Sequence, residues 1–337
     1  IQSECMDFKE ICRQYGDRIS FHGTIGTQTV MPHGTPEEVK KAVTGKDECI
    51  RKAMMAILAG GHILMDDIPG VGKTTMALAF SKAMALKQKR VQFTPDVLPS
   101  DVTGFFMFQQ ENGRMRYMAG PVMTNLFLAD EINRTSPKTQ SALLQVMEEG
   151  AVTIDGQTMK VPDPFIVIAT QNPAGSAGTQ LLPDSQLDRF MICLSLGYPD
   201  IKSEIKIIKR RHTANPLDRV EAVMDDTMLR QLQRQTEKIY IHDAVYEYIA
   251  HLVGATRTHD MVRLGVSPRG TLALCKMSQG AAMLAGRDYV IPDDVSGVFK
   301  DVAAHRLILD PRAAVSSLGA SQILDEILGT VAKPVPR

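Results

Sequence analysis

Apolar positions follow two different rhythms along the 337-residue chain. Between about residues 61 and 197, short unbroken apolar runs alternate with stretches repeating at helical spacing. The runs predict strands over His62–Asp66, Val91–Thr94, Leu126–Asp130, Phe165–Thr170 and Met191–Leu196. Continuous rather than alternating apolar character implies strands covered on both faces, hence a parallel sheet between helical layers. Lys138–Glu149 reads as a helix, with Leu143, Leu144 and Met147 at i, i+1 and i+4. Two hairpins interrupt this scheme. Asp155-Gly156 joins Val152–Ile154 to Gln157–Val161, and Asn112-Gly113 joins Phe105–Gln109 to Met115–Met118, each pair suited to a positive-φ turn.

After Gly197 the rhythm becomes purely helical. Residues 201–213, 226–238, 242–258, 268–285 and 292–306 each predict a helix, with no strand pattern between them. Pro268 and Pro292 suit helix starts, the latter followed by the acidic pair Asp293-Asp294. The last stretch, around Leu318–Ala320 and Lys333–Pro336, predicts a weak element and a frayed end. The expected organisation is therefore an N-terminal extension (1–41), an α/β core (42–200), a separate helical domain (201–312) and a tail (313–337).

Composition narrows the function classes. Lys+Arg and Asp+Glu both number 38, so net charge points to no nucleic-acid and no membrane partner. No apolar run approaches the roughly 20 residues that span a bilayer, and no signal peptide is read. Opening on Ile1 rather than Met, the sequence reads as a fragment. Cys5, Cys12, Cys49, Cys193 and Cys275 are scattered without a Cys-x-x-Cys pair, as reduced thiols of a cytoplasmic protein would be. No histidine shows metal-ligand spacing, so no structural metal is expected.

Candidate chemistry begins at the end of the first strand. Asp67-Ile68-Pro69-Gly70-Val71-Gly72-Lys73-Thr74-Thr75 is a phosphate-binding loop in which Asp67 replaces the usual first glycine. Gly70 and Gly72 let backbone N–H groups turn onto an oxyanion, Lys73 can reach the β- and γ-phosphates, and Thr74 can ligate Mg²⁺. Asp130-Glu131 ends the third strand: Asp130 suits the metal's water shell and Glu131 the attacking water. Asn172, at the tip of the fourth strand, can position that water or sense the γ-phosphate. Arg189 is either a structural partner of Asp188 or an arginine finger for a neighbouring subunit, and Arg269 can swing onto nucleotide from the helical domain.

The sequence closely resembles the MoxR family of AAA+ ATPases over roughly residues 42–310. The resemblance rests on Gln92–Gly104, Leu128–Arg134, Lys138–Leu144, Ala169–Pro173, Leu182-Pro183, Gln186–Phe190 and Ser267–Arg269. It implies a five-stranded αβα P-loop sandwich followed by an α-helical lid, with ATP and Mg²⁺ bound. Residues Pro69–Thr75 would then cradle the nucleotide, Thr74 and Asp130 would hold the metal, and Glu131 would complete Walker B. It further implies Asn172 as sensor 1, Arg189 as a finger acting in trans, and Arg269 as sensor 2. Acidic residues at position 67 fit the family, and the stretch Gln145–Glu149, slightly altered, touches no nucleotide role.

The same resemblance implies a ring, commonly a hexamer, with chaperone-like action on a client and a von Willebrand factor A-domain partner. The two hairpins are then candidates for the surface that meets a client or central pore. Alternatives are a magnesium-chelatase-type motor subunit and an ATP-gated binding scaffold with incidental turnover. A DNA-directed AAA+ protein is disfavoured by the balanced charge and the lack of a helix-turn-helix appendage.

Residues 1–41 differ in kind. Phe21–Val39 resembles a fragment of a uroporphyrinogen-decarboxylase-type barrel, which alone cannot bury its faces or catalyse. Two readings stand: an ordinary extension packing a helix over Met6–Tyr15, or a foreign piece from gene fusion or an assembly artefact joined near Lys41–Thr44.

Overall fold

The structure, a computed structural model, describes residues 30–111, 113–172, 182–211 and 215–334. Helices α1 (Val30–Ala42) and α2 (Asp47–Leu58) precede strand β1 (Ile63–Asp66). Then come α3 (Lys73–Ala83), β2 (Gln88–Gln92), α4 (Pro99–Thr103) and the hairpin β3 (Gly104–Gln109) and β4 (Arg114–Ala119). Strand β5 (Leu126–Asp130), α5 (Pro137–Glu149), the hairpin β6 (Ala151–Ile154) and β7 (Gln157–Lys160), β8 (Ile166–Gln171), α6 (Asp184–Leu187) and β9 (Ile192–Leu194) complete the core. Five strands form one sheet in the order β2-β5-β8-β1-β9, every pair parallel.

Both faces of this sheet are covered, as the unbroken apolar runs imply. Leu64, Phe127, Ala129, Val167 and Ala169 point to one buried cluster with α5. Ile63, Met65, Leu126, Leu128, Ile166, Ile168, Ile192 and Leu194 point to the other, with α2 and α3. The two-residue alternation of a strand thus divides each run between two cores. The edge strand differs. The sequence predicts it over Val91–Thr94, but it lies at Gln88–Gln92, largely exposed and carrying Lys89 and Arg90. An uncovered edge needs charge rather than apolar side chains, so hydropathy misplaces it. Asp155 and Gly156 do adopt positive φ, 49° and 75°, in the β6–β7 turn. Asn112, of the other turn, lies outside the described residues.

The helical lid comprises α7 (Ile201–Arg211), α8 (Asp226–Thr236), α9 (Asp243–Thr258), a short strand β10 (Val262–Leu264), α10 (Pro268–Leu284) and α11 (Pro292–Ala303). Strand β11 (Ile308–Leu309), α12 (Pro311–Val315) and α13 (Ala320–Thr330) follow. Two expectations change here. Strands β10 and β11 pair antiparallel where only helices are expected, being too short to show an alternating pattern. The supposedly weak tail contains α13, which buries Ile323, Leu324 and Ile327 and so belongs to the lid. Nor is the lid packed apart from the core: one apolar cluster runs from β1 through α2 to α10 and α13. Helix α10 lies so close to α2 that a Cβ on Gly280 would come within 2.5 Å of the Met55 carbonyl oxygen.

Helix α1 crosses the boundary expected at residue 41. Thr35 and Val39 are fully buried, and Glu38 accepts a hydrogen bond of 2.9 Å from the Glu221 amide. The described side chains of this helix are thus packed against the core, Val39 within its apolar cluster. The rest of the decarboxylase-like stretch and Met6–Tyr15 lie outside the described residues.

One buried histidine ties the sheet to α5. His62 Nδ1 accepts from the Val167 amide at 3.0 Å, which places the proton on Nε2 for donation to the Met147 carbonyl at 3.1 Å. That carbonyl belongs to the last turn of α5, where no helical donor remains. Burial pushes the imidazole down to about 4 from 6.5, against a smaller upward pull from the Met147 bond. Between those values the unfolded chain takes the proton and the folded chain refuses it. Stability is therefore present above pH 6.5 and lost as pH falls towards 4, by about 1.4 kcal/mol per unit of pH. Denaturant titrations of wild type and His62→Gln between pH 7 and 4 should show the wild type losing this extra increment and the variant lacking it.

Candidate functional site

The phosphate loop runs from the end of β1 into α3. Gly70 and Gly72 take φ of 85° and 103°, conformations that side chains resist, and Gly72 is the residue that opens α3. A Cβ on either would meet nothing within 4 Å. Open space therefore lies beside both loop glycines at the start of α3, where an anion is favoured.

Lys73, the first residue of α3, is buried. Its Nζ donates to the Asp67 carbonyl, to the Gln171 carbonyl at 3.0 Å and to Asn172 Oδ1 at 3.1 Å. Burial lowers its pKa from the usual lysine value, while Asp67, Asp66, Asp130 and Glu131 oppose that shift. Asp67 explains its own departure from the glycine pattern. Its carboxylate accepts from the Ile68 amide (2.8 Å), the Ser195 hydroxyl (3.0 Å) and the Gly197 amide (2.6 Å), anchoring the loop to the chain beyond β9.

The two acids at the end of β5 have different surroundings. Asp130 Oδ1 accepts from the Thr170 hydroxyl at 2.6 Å; Oδ2 accepts from Thr74 at 3.2 Å and from Arg90 at 2.7 Å (Nη2) and 3.1 Å (Nε). Glu131 has φ of 56°, and its amide donates to the Thr170 hydroxyl at 2.9 Å. Its carboxylate is paired with Arg134 at 2.7 Å. Thr170 on β8 thus orients both acids from the neighbouring strand. Asn172 sits beside them, its carbonyl accepting from Asn133 at 3.1 Å. Pro173 lies outside the described residues.

The geometry brings Lys73, Thr74, Asp130, Glu131 and Asn172 together at one end of the sheet. It places the two arginines elsewhere. Arg269 donates to Glu148 Oε1, and Arg189 Nε lies 3.1 Å from Glu148 Oε2. Neither arginine lines the cavity of about 400 Å³ beside the phosphate loop, which includes Thr44, Gly72, Thr75, Ile207 and Leu217. Asp188 is not the ion-pair partner of Arg189. It binds Arg306 Nε at 2.8 Å and the Ser267 hydroxyl at 3.1 and 2.9 Å.

Sequence reasoning missed Arg90, Arg134, Glu148 and Thr170. Arg90 lies on the misplaced edge strand, and Glu148 stands in a stretch read as remote from nucleotide. Thr170, flanked by the motif residues, carried a signal: a hydroxyl two residues before a strand-tip amide.

The donor set suits a magnesium-bound nucleoside triphosphate. Asp130 and Thr74 offer hard oxygen ligands 3.2 Å apart, and the open glycine cradle accommodates phosphate. Comparison with known proteins points to an ATPase. The ATPase family associated with various cellular activities (AAA) matches residues 62–192, and the AAA lid domain matches residues 254–327. YeaC of Bacillus subtilis, of uncharacterised function, is 46% identical over 89% of this chain and 94% of its own. The chaperone MoxR1 of Mycobacterium tuberculosis is 37% identical over 88% of this chain and 81% of its own. A Cytophaga hutchinsonii crystal structure, assigned as an ATPase, superposes with a TM-score of 0.83 at 36% identity, covering 89% of this chain and 94% of that one. The decarboxylase-like stretch finds no support in these matches.

Replacing Asp67 tests the anchoring of the loop. Asp67→Ala strands the Gly197 amide and Ser195 hydroxyl, so chemical denaturation should show a loss of about 3 kcal/mol. A loss below about 0.5 kcal/mol, the ordinary surface value, would contradict this role.

Proposed function

Because the chain belongs to the MoxR family of AAA+ ATPases, we propose that its ATP hydrolysis is completed between subunits of a ring and drives chaperone-like remodelling of a protein client. One observation carries this reading: the cations paired with Asp130 and Glu131 are Arg90 and Arg134, whereas Arg189 and Arg269 are drawn to Glu148 instead.

The chemistry follows from the groups present. The loop amides and Lys73 hold the β- and γ-phosphates. Thr74 and Asp130 would hold a magnesium ion, which supplies charge neutralisation at the phosphates when bound. Arg90 occupies Asp130 Oδ2 and would have to give way for that oxygen to serve as a ligand. Glu131, released from Arg134, orients the attacking water and accepts its proton. Asn172, already in contact with Lys73, fixes the far side of that water or the γ-phosphate. What these contacts do not supply is an arginine for the γ-phosphate, since Arg189 and Arg269 are held at Glu148. Arg189 supplies it from the adjacent subunit, and Arg269, beside it, acts from the same side rather than in its own subunit.

A hexamer is the ring expected of this family, and a von Willebrand factor A-domain protein is the partner we assign from the resemblance. Cytoplasmic residence fits the uncrosslinked Cys49, Cys193 and Cys275. Among the described residues no helix is long and apolar enough to cross a membrane.

Glu131→Gln should bind ATP like wild type and lose turnover by about 10²- to 10⁴-fold, the scale of a positioned general base. Arg189→Ala should bind ATP equally well and lose about 10³-fold or more. An equimolar mixture of these two inactive variants should regain activity, because about one site in four then has an intact Glu131 facing an intact Arg189. A mixture as inactive as its parents would contradict the shared site.

A further inference from the structure

Among the described residues, Glu148 is the one carboxylate that meets both arginines. It lies in the last turn of α5, while Arg189 follows α6 and Arg269 opens α10, 121 residues further along the chain than Glu148. Oε1 accepts from Arg269 Nη2, and Oε2 stands 3.1 Å from Arg189 Nε. That nitrogen is buried and has no aligned hydrogen-bond acceptor, so the Arg189 contact is one of charge rather than of a directed N–H. Two guanidinium groups drawn to a single carboxylate would otherwise repel each other.

The backbones beneath these side chains are braced separately. Arg306 is almost wholly buried; its guanidinium donates to the Asp188 carboxylate (2.8 Å) and to the carbonyls of Asp188 (3.1 Å), Phe190 (2.5 Å) and Met191 (3.2 Å). The Asp188 carboxylate also takes the hydroxyl of Ser267, and that same hydroxyl oxygen caps α10 by accepting from the Gly270 amide at 3.1 Å. Arg189 is thus one residue from the clamped Asp188, and Arg269 is two from the clamped Ser267. The brace sets where both side chains start. Glu148 sets where they end.

We propose that Glu148 is a positioning residue that joins Arg189 and Arg269 into one two-arginine element, presented to the γ-phosphate of the neighbouring subunit's ATP. This rests on the shared-site reading above. Glu148 does not block the pair: a guanidinium has five N–H donors, and Arg269 commits only one of them here. The shared carboxylate lowers the cost of holding two like charges side by side, so both arrive oriented at a single phosphate.

Glu148→Gln tests this, since it keeps size and an acceptor oxygen but removes the charge. ATP affinity and thermal midpoint should stay at wild-type values, while kcat falls roughly tenfold to 100-fold, the scale on which displaced orienting groups are felt. Added to Arg269→Ala, the same change should cost less than about twofold more, because the element is already broken. Mixed with Glu131→Gln subunits, which carry an intact arginine pair, Glu148→Gln subunits should regain turnover. A kcat equal to or above wild type would overturn the proposal, as would full additivity with Arg269→Ala. Recovery in the Arg189→Ala mixture but not in the Glu148→Gln mixture would overturn it while leaving the shared site intact. Recovery in neither would remove the shared site, and the proposal with it.

Discussion

A lysine ammonium buried at the end of a parallel sheet is the constraint on which this structure depends. Lys73 has little contact with water, so its N–H groups must be met by protein or ligand. Here they are met by the carbonyls of Asp67 and Gln171 and by the Asn172 side chain, from the chain ends of β1 and β8. The parallel register of β1 and β8, with Asp66 opposite Gln171, brings these acceptors side by side and places Asn172 next to them. Strand β5, paired on the other side of β8, then delivers Asp130 and Glu131 to the same edge. The Thr170 hydroxyl between them meets both acids. An incoming phosphate would take over part of the work now done by backbone carbonyls.

The second determinant is how the lid is attached. Helix α10 lies directly on α2, with Gly280 against the Met55 backbone, and the apolar cluster is continuous across the junction. Near the other end of α10, Arg306 and Asp188 join lid to core through a buried ion pair. A buried arginine with several carbonyl partners is costly to remove, because each partner would be left unsatisfied. The lid therefore carries Arg269 in a defined relation to Arg189, and movement of one strains the seat of the other. In the proposed ring this would link the lid of one subunit to the nucleotide state of the next.

Much of this was legible in the residues, for physical reasons that also mark where legibility ends. The doubly covered strands β1, β5 and β8 stood out because burial on both faces demands unbroken apolar runs. The phosphate loop and the Asp130-Glu131 pair stood out because their chemistry requires adjacent residues. The edge strand β2 was displaced because Lys89 and Arg90 serve an exposed edge, and β10 and β11 were too short to have a period. Helix α13 was passed over although Ile323, Leu324 and Ile327 have helical spacing. Residues joined by charge across long sequence separations left no local trace. Glu148 with Arg269 and Arg90 with Asp130 are pairs that only the folded chain displays. The nucleotide-side cavity likewise includes Lys41 and Thr44, from a segment whose sequence suggested a boundary rather than a wall.

The central claim is that one chain holds an incomplete hydrolytic site. Its most direct test is ATPase activity per subunit as a function of protein concentration, with assembly followed by light scattering in the same samples. Activity per subunit should rise with the fraction assembled and approach zero upon dilution to the monomer, while ATP binding persists. Constant activity per subunit across that transition would contradict the account.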